Sequence, residues 1–358
     1  MSMVEYVLGV GTPYQAPINV LFAIAKVSDP DDPYIPMCMS GWQHGAIVDI
    51  ETGDPIYNFP NGFAAVWISL TERKVYEVDV DFSNQMIDSV TKMFQKGFKN
   101  RRGEVVPYTH FKASIYPDGV VRFYLLGNDK ILSLDYSFRG NFTSEYDDAF
   151  LDSFGPDSSI RTIDDYCDIY YKSLDDDDPK DNNIISQAEY VNKIGIPDKI
   201  WDRYYTRYNY RIRFSFEDPQ SHLYFWSPKF SNSERFSCQS GVNDDVIIKR
   251  PATICSMNLW WQNGKYRYTS YFYFNEEEML SLFEKAFADH PDQQGELLVH
   301  VGKYNNTFEL SLCLNGEVYQ IKQTEIRAFR DLLSDLDGDS ELIYKNYEEN
   351  HKNEFNGL

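Results

Sequence analysis

Ala64-Ala65-Val66-Trp67-Ile68-Ser69-Leu70, then Thr71-Glu72-Arg73, then Val75-Tyr76-Glu77-Val78-Asp79-Val80-Asp81-Phe82 is the stretch that decides the fold. An apolar run, a polar break and an alternating run read as a β-hairpin. Ser83 follows as an N-cap, and Met86, Ile87, Val90, Met93 and Phe94 fall on one helical face, so a helix of three to four turns is predicted. The same order recurs late in the chain. Met257 to Trp261 leads into Asn263-Gly264, a dipeptide whose residues accept positive φ in a tight hairpin turn. Tyr266 to Phe274 returns, Asn275 caps, and Glu276, Glu277 and Glu278 favour the positive end of a helix striped by Met279, Leu280, Phe283 and Phe287.

A meander follows each helix. Tyr108–Tyr116, Val120–Leu126 and Ile131–Tyr136 are separated by Asp118-Gly119 and Gly127-Asn128. Glu296–Tyr304, Thr307–Leu314 and Glu317–Lys322 are separated by Asn305-Asn306 and Asn315-Gly316. The segments before the copies, Gly9 to Ala25 and Tyr208 to Leu223, are expected to add an edge strand to each sheet. The fold class predicted is α+β, with two tandem similar domains, each an antiparallel sheet with one main helix (a β-β-α-β-β-β core). The boundaries expected are residues 1–143 for the first repeat, 144–200 for an acidic, partly helical connector, 201–333 for the second repeat and 334–358 for a polar C-terminal tail.

The chain of 358 residues agrees with this, since domains run to about 150 residues each. Hydrophobic residues at 42% and aromatics at 16% exceed what a disordered chain carries. With 34 Lys and Arg against 55 Asp and Glu, the net charge of −21 repels phosphate backbones and anionic lipid, so neither nucleic acid nor membrane insertion is expected. Ser144 to Asn183 holds thirteen acids against Arg161, Lys172 and Lys180, for a net −10. Phe150, Phe154, Ile163, Tyr166 and Tyr170 mark part of it as helical and packed, and Asp175-Asp176-Asp177-Asp178 reads as a solvated loop that forms part of a contact surface. Met1 to Val10 lacks the basic-then-apolar run of a secretory signal, so the location expected is cytoplasmic, or periplasmic or lipoprotein if a signal has been removed.

Catalytic signatures do not appear: there is no G-x-S-x-G, no G-x-x-x-x-G-K-[ST] and no H-E-x-x-H. Gly9-Val10-Gly11-Thr12-Pro13 lacks a third glycine, and Pro13 removes a donor that a phosphate cradle needs. The six histidines are dispersed, with His110 and His300 on equivalent strands, and Cys38, Cys167, Cys238, Cys255 and Cys313 form no C-x-x-C pair. Asp335, Asp337 and Asp339 have the alternation of a calcium loop, but Ser340 and Asn346 stand where that loop needs Gly and Glu, so a solvated turn is the better reading. Tyr204 to Phe214 interleaves aromatic and basic residues and reads as a half-buried strand rather than a nucleic-acid platform. No cofactor, no metal and no enzymatic activity are expected.

Leu8-Gly9-Val10-Gly11-Thr12-Pro13 with Pro17-Ile18-Asn19-Val20, Gly41-Trp42, Trp67 to Tyr76 and Tyr116-Pro117-Asp118-Gly119-Val120-Val121 resemble a bacterial family known as domain of unknown function 2931. Members of that family are often small lipoproteins, and some look like immunity proteins encoded beside lipase effectors of type VI secretion systems. The resemblance implies a protein that binds and blocks a phospholipase effector by protein–protein occlusion. It departs from the family in having Cys38 as its first cysteine, with no lipobox before it. The alternative expectation is an envelope-associated structural or ligand-binding protein without a toxin partner, and an unrecognised hydrolase stands third.

Overall fold

The computed structural model describes residues 7–11, 18–28, 34–38, 42–43, 50–51, 59–144, 147–176, 200–241, 247–334 and 340–348. The first half runs β1 (Val7–Gly11), β2 (Ile18–Lys26), β3 (Tyr34–Cys38), β4 (Trp42–Gln43), β5 (Ile50–Glu51), β6 (Gly62–Ser69), β7 (Lys74–Asp81), α1 (Asn84–Lys96), β8 (Phe98–Lys99), β9 (Val105–Val106), β10 (His110–Ile115), β11 (Val120–Gly127), β12 (Lys130–Arg139) and β13 (Asn141–Phe142). Then come α2 (Asp147–Asp152), α3 (Ile163–Asp176) and α4 (Ile200–Tyr205). The second half runs β14 (Tyr210–Phe216), β15 (His222–Phe230), β16 (Arg235–Phe236), β17 (Cys238–Gln239), β18 (Ile254–Asn263), β19 (Tyr266–Tyr273), α5 (Glu276–Phe287), β20 (Gly295–Val301), β21 (Phe308–Leu314), β22 (Glu317–Ile321), β23 (Glu325–Leu332) and β24 (Glu341–Lys345).

The hairpins and caps read from the sequence form as local physics dictates. Ser83 accepts from the Met86 amide at the start of α1, and Asn275 accepts from the Glu278 amide at the start of α5. Asn315 and Gly316 both take positive φ, at 53° and 82°, as a tight hairpin of this twist requires. At the β18–β19 turn only Gly264 does so, and the two-residue turn is Gly264-Lys265, one position beyond the Asn-Gly pair.

The fold is mostly β with few helices, in open mixed sheets, rather than the α+β arrangement of one antiparallel sheet per copy. In the first half β1 lies parallel to β10, Val7 opposite His110, and extends the β10-β11-β12 meander. A separate sheet pairs β2 with β6 and β6 with β7. In the second half β14 lies parallel to β20, Tyr210 opposite Gly295, beside β21 and β22. There β15 pairs β18, β18 pairs β19 and β19 pairs β23. The entry segment thus supplies two strands to each half, one per sheet, and splits what the sequence presents as a single layer. Trp67 stacks on its cross-strand partner Tyr76, with ring centroids 5.7 Å apart, and Trp261 stacks on its partner Tyr268 at 5.1 Å.

Two cores result. Met86, Val90 and Phe94 of α1 close one core against Phe63, Trp67, Phe111 and Phe123, and Met279, Leu280 and Phe283 of α5 close the other against Leu259, Trp261, Phe272 and Leu297. The halves do not end at their own sheets. Lys130 and Ile131 of β12 pair with Phe236 and Arg235 of β16, and Arg235 pairs with Lys229 of β15, so one 12-stranded sheet crosses from half to half.

The acidic stretch covers rather than merely connects. Every residue of β6 is buried: Phe63, Ala65 and Trp67 face the first core, while Val66 and Ile68, with Leu70 and Val75, meet Tyr166 and Cys167 of α3, flanked by Phe150 of α2. Arg73 reaches over to Asp164, at 3.3 Å, and to Asp168. A strand apolar on both faces needs a second layer, and α2 and α3 supply it. Residues 334–358, expected as a polar tail, include β24, which pairs with β23 through Leu342 opposite Phe329.

Ile68→Ala is expected to cost about 2–5 kcal/mol in urea unfolding. A double-mutant cycle of Ile68→Ala with Tyr166→Ala is expected to show coupling of about 0.5–3 kcal/mol, because the two share one small cluster; strict additivity would contradict the cover assigned to α3.

Candidate functional site

Where the halves meet, the outer side of the first meander lies against α4 and the loop between β15 and β16. The Tyr116 and Tyr124 hydroxyls are 2.8 Å apart, and the Tyr205 hydroxyl donates to Tyr116 at 2.6 Å and touches Tyr124. Tyr124 donates to the Asn232 carbonyl at 3.1 Å. The Arg122 guanidinium sits 3.6 Å from the Tyr205 ring centroid and 3.3 Å from Asp202. Beside this trio, Arg207 donates two bonds of 2.9 Å to Glu234, whose side chain is 0% exposed. Glu234 also accepts from the Ser133 amide at 3.1 Å and from Asn232 Nδ2 at 2.9 Å. Arg207 reaches Asp135 at 3.1 Å and the Ser133 and Arg250 carbonyls at 3.2 Å each.

Burial raises the Tyr116 and Tyr124 hydroxyls above their ordinary range, Tyr124 the further because the Tyr116 hydroxyl is beside it. They stay protonated at neutral pH and serve as hydrogen-bonding groups, not nucleophiles. Burial works against the Arg207 charge, yet its bonds to Glu234 outweigh that and its affinity for the proton rises. Lys112, opposite Tyr124 in register and 1% exposed, is pushed by burial down to about 8. The seam is a joint with its polar groups locked in place.

The second feature is the outer face of the β15-β18-β19-β23-β24 sheet. Leu259, Trp261, Tyr268 and Phe272 point into the core, so their neighbours along the strands point out. Register places Phe225 opposite Trp260, Gln262 opposite Arg267 and Arg267 opposite Asp331. It likewise places Asn258 opposite Tyr271, and Tyr271 opposite Arg327. Arg327 stacks 4.9 Å from the Tyr271 centroid and 5.9 Å from Tyr273, and Arg267 lies 6.0 Å from Trp260. Arg267 pairs with Asp331 at 3.2 Å. Arg327 Nη2 donates to the Tyr273 hydroxyl at 3.3 Å. Trp260 Nε1, Arg267 Nε and Arg327 Nε are buried without an acceptor among the described residues. At the margins Leu342 is 51% and Tyr224 41% exposed. Sequence reading found β18 and β19 but not β23 or β24, which lie beyond the last strand expected, and so not this face; the signal was the alternation of Arg267, Thr269, Tyr271 and Tyr273, visible only once Arg327 is known to lie opposite.

The residues singled out in the sequence are scattered. Asp175 and Asp176 close α3, so their backbone is helical rather than looped, while Asp177 and Asp178 lie outside the described residues, as do Asp335, Asp337 and Asp339. His110 Nδ1 is 2.8 Å from Thr109 Oγ1, and His300 Nδ1 is 3.3 Å from Ser215 Oγ. Tyr210 to Phe216 is a strand whose Arg211 and Arg213 pair with Glu296. Among the described residues no group of three His, Cys, Asp or Glu could hold a metal ion, and no helix is long and apolar enough to cross a membrane.

Removing the Glu234 carboxylate as Glu234→Ala is expected to cost about 3–5 kcal/mol in chemical unfolding, because Arg207 is left without its buried partner. Lys112→Met is expected to stabilise the fold by about 1–3 kcal/mol at pH 7. Between pH 8 and 10.5 the folded protein binds fewer protons at Lys112 than the unfolded chain does, so wild-type stability gains from this group as pH rises and the advantage of Lys112→Met closes. An advantage unchanged to pH 11 would contradict the assignment.

No curated protein and no solved structure matches the chain. Residues 1–153 match the family described as "Protein of unknown function (DUF2931)". That span takes in β1 to β13 and α2, so the similarity to this family lies in the first half of the chain.

Proposed function

We propose that the protein is a non-enzymatic binding protein of the immunity type, which holds a secreted antibacterial effector, a phospholipase of type VI secretion, through protein–protein contact and neutralises it by occlusion. The observation that carries this reading is the outer face of the second-half sheet. Aromatic and arginine side chains are enriched where protein contacts are energetically strong, and here five paired strands hold them in fixed positions, so little ordering entropy is lost on contact. The net charge of −21 steers the chain toward a basic partner surface.

The halves are read as descendants of one module, forming tandem domains. Parallel entry strands beside each meander, the capped helix after each central hairpin and the matched Trp67–Tyr76 and Trp261–Tyr268 stacks support this. Divergence then falls on the outer faces: α2 and α3 cover the first, and the second carries the aromatic and arginine side chains. The acidic run Asp175 to Asp178 is kept, from its charge alone, as a proposed part of the contact surface.

The test is co-expression with the product of the adjacent gene. The expected outcome is a complex that survives size-exclusion chromatography, and growth of cells that the gene product alone kills. Separate elution together with unprotected cells would contradict the proposal.

A further inference from the structure

We infer that the outer face of the second-half sheet docks a carboxylate-bearing helix of a partner protein, in the position that α3 occupies on the first half. The inference rests on the binding role proposed above and names the surface and the chemistry of what it takes. Three observations support it.

The first is the pairing of charge and ring. Arg327 lies over Tyr271 and Tyr273, and Arg267 lies toward Trp260. Arg327 spends one Nη2 bond on the Tyr273 hydroxyl at 3.3 Å and Arg267 one on Asp331 at 3.2 Å, and the remaining N–H groups of each stacked guanidinium have an edge geometry that suits a carboxylate. The same stacking occupies the ring faces that a sugar would need, which turns the site away from carbohydrate. Nucleic acid is opposed by the net charge of −21.

The second is the set of donors. Trp260 Nε1, Arg267 Nε and Arg327 Nε are out of reach of solvent and have no acceptor among the described residues. Buried N–H groups are normally satisfied, so a side-chain rotation that turns one of these toward an acceptor laid on the face is favoured. All three belong to adjacent strands of one face.

The third is the internal precedent. On the first half, the strand corresponding to β18 is β6, and its outer face is covered by α3, which carries Asp164, Asp165 and Asp168 on the turns that meet Arg73. An acidic helix laid on a sheet face, with an arginine of the adjoining β6–β7 turn reaching its carboxylates, is thus a packing this fold already makes. On the second half the arginines stand within the face itself. The chain as a whole is acidic, but at contact distance salt screens charges beyond about 8 Å, so the local groups decide what the face accepts: Asp331 is paired with Arg267 and Glu325 lies opposite Tyr273, which leaves Arg327 as the arginine that meets a carboxylate.

The experiment titrates the full-length protein with two synthetic peptides, followed by NMR at the Trp260 indole N–H and the Arg267 and Arg327 Nε–H. One peptide has the sequence of residues 160–176, and the other is the same with every Asp replaced by Asn. The expected result is that the acidic peptide moves all three resonances, that the Asn peptide binds at least about tenfold more weakly, and that Arg327→Glu abolishes the response while the circular dichroism and Tm of that variant match the wild type. If Arg327→Glu is unfolded, Leu342→Asp at the exposed margin takes its place. No movement with the acidic peptide would overturn the inference, as would equal movement with both peptides, or shifts that follow protein concentration alone and so reveal a second copy of this chain as the occupant. Binding to the adjacent gene product separates the two readings. Wild-type affinity retained in Arg327→Glu defeats this docking face and leaves the immunity role standing, whereas absence of any complex defeats that role and leaves the peptide result to decide the face.

Discussion

The Arg207–Glu234 pair at the seam is the interaction on which the arrangement of the whole chain depends. Glu234 is fully buried and makes four hydrogen bonds, two of them to Arg207 and one to the Ser133 amide of β12. An isolated carboxylate in that position would be prohibitively costly, so the loop carrying it is bound to remain where Arg207 and β12 meet it. This is the same place where β16 joins β12 to β15 and brings strands of the two halves into one sheet. The tyrosine trio extends the joint with hydroxyls that burial keeps protonated. Such a network adds little net stability over an apolar contact, and its value is in specifying one relation between the halves.

Within that fixed relation the two central hairpins differ in how their outer faces are covered. Both central hairpins have one face in a core beneath a capped helix. The other face of the first is closed by α2 and α3, which makes β6 buried throughout. The other face of the second alternates buried with partly exposed residues and presents arginine and aromatic side chains. The first face is thus closed by helices of the same chain, while the second is a partly exposed surface of arginine and aromatic side chains.

What was legible in the sequence was local. Ser83 and Asn275 signal helix starts because a side-chain oxygen meets an amide three residues on, and Asn315-Gly316 signals a turn because both residues tolerate positive φ. Those devices work within a few residues and survive any tertiary context. The parallel placement of β1 beside β10 was not legible, since it joins residues about a hundred positions apart and leaves no mark in either strand's alternation. The apolar residues of the acidic stretch pointed to packed helices, and the uniform apolar run of β6 was the complementary sign that something must cover it. The outer face of the second sheet was hidden for the same reason as the seam: Arg267 and Arg327 come onto one face only through the β19–β23 pairing.

Native-state hydrogen exchange at the Ser133 amide, which donates to the buried Glu234, tests most directly whether the seam makes one cooperative unit of two modules. The account predicts that this amide exchanges only with global unfolding, at the same free energy as the central amides of β6 and β18. Exchange at Ser133 through a lower-energy opening, with β6 and β18 still protected, would show that the halves separate freely and would contradict it.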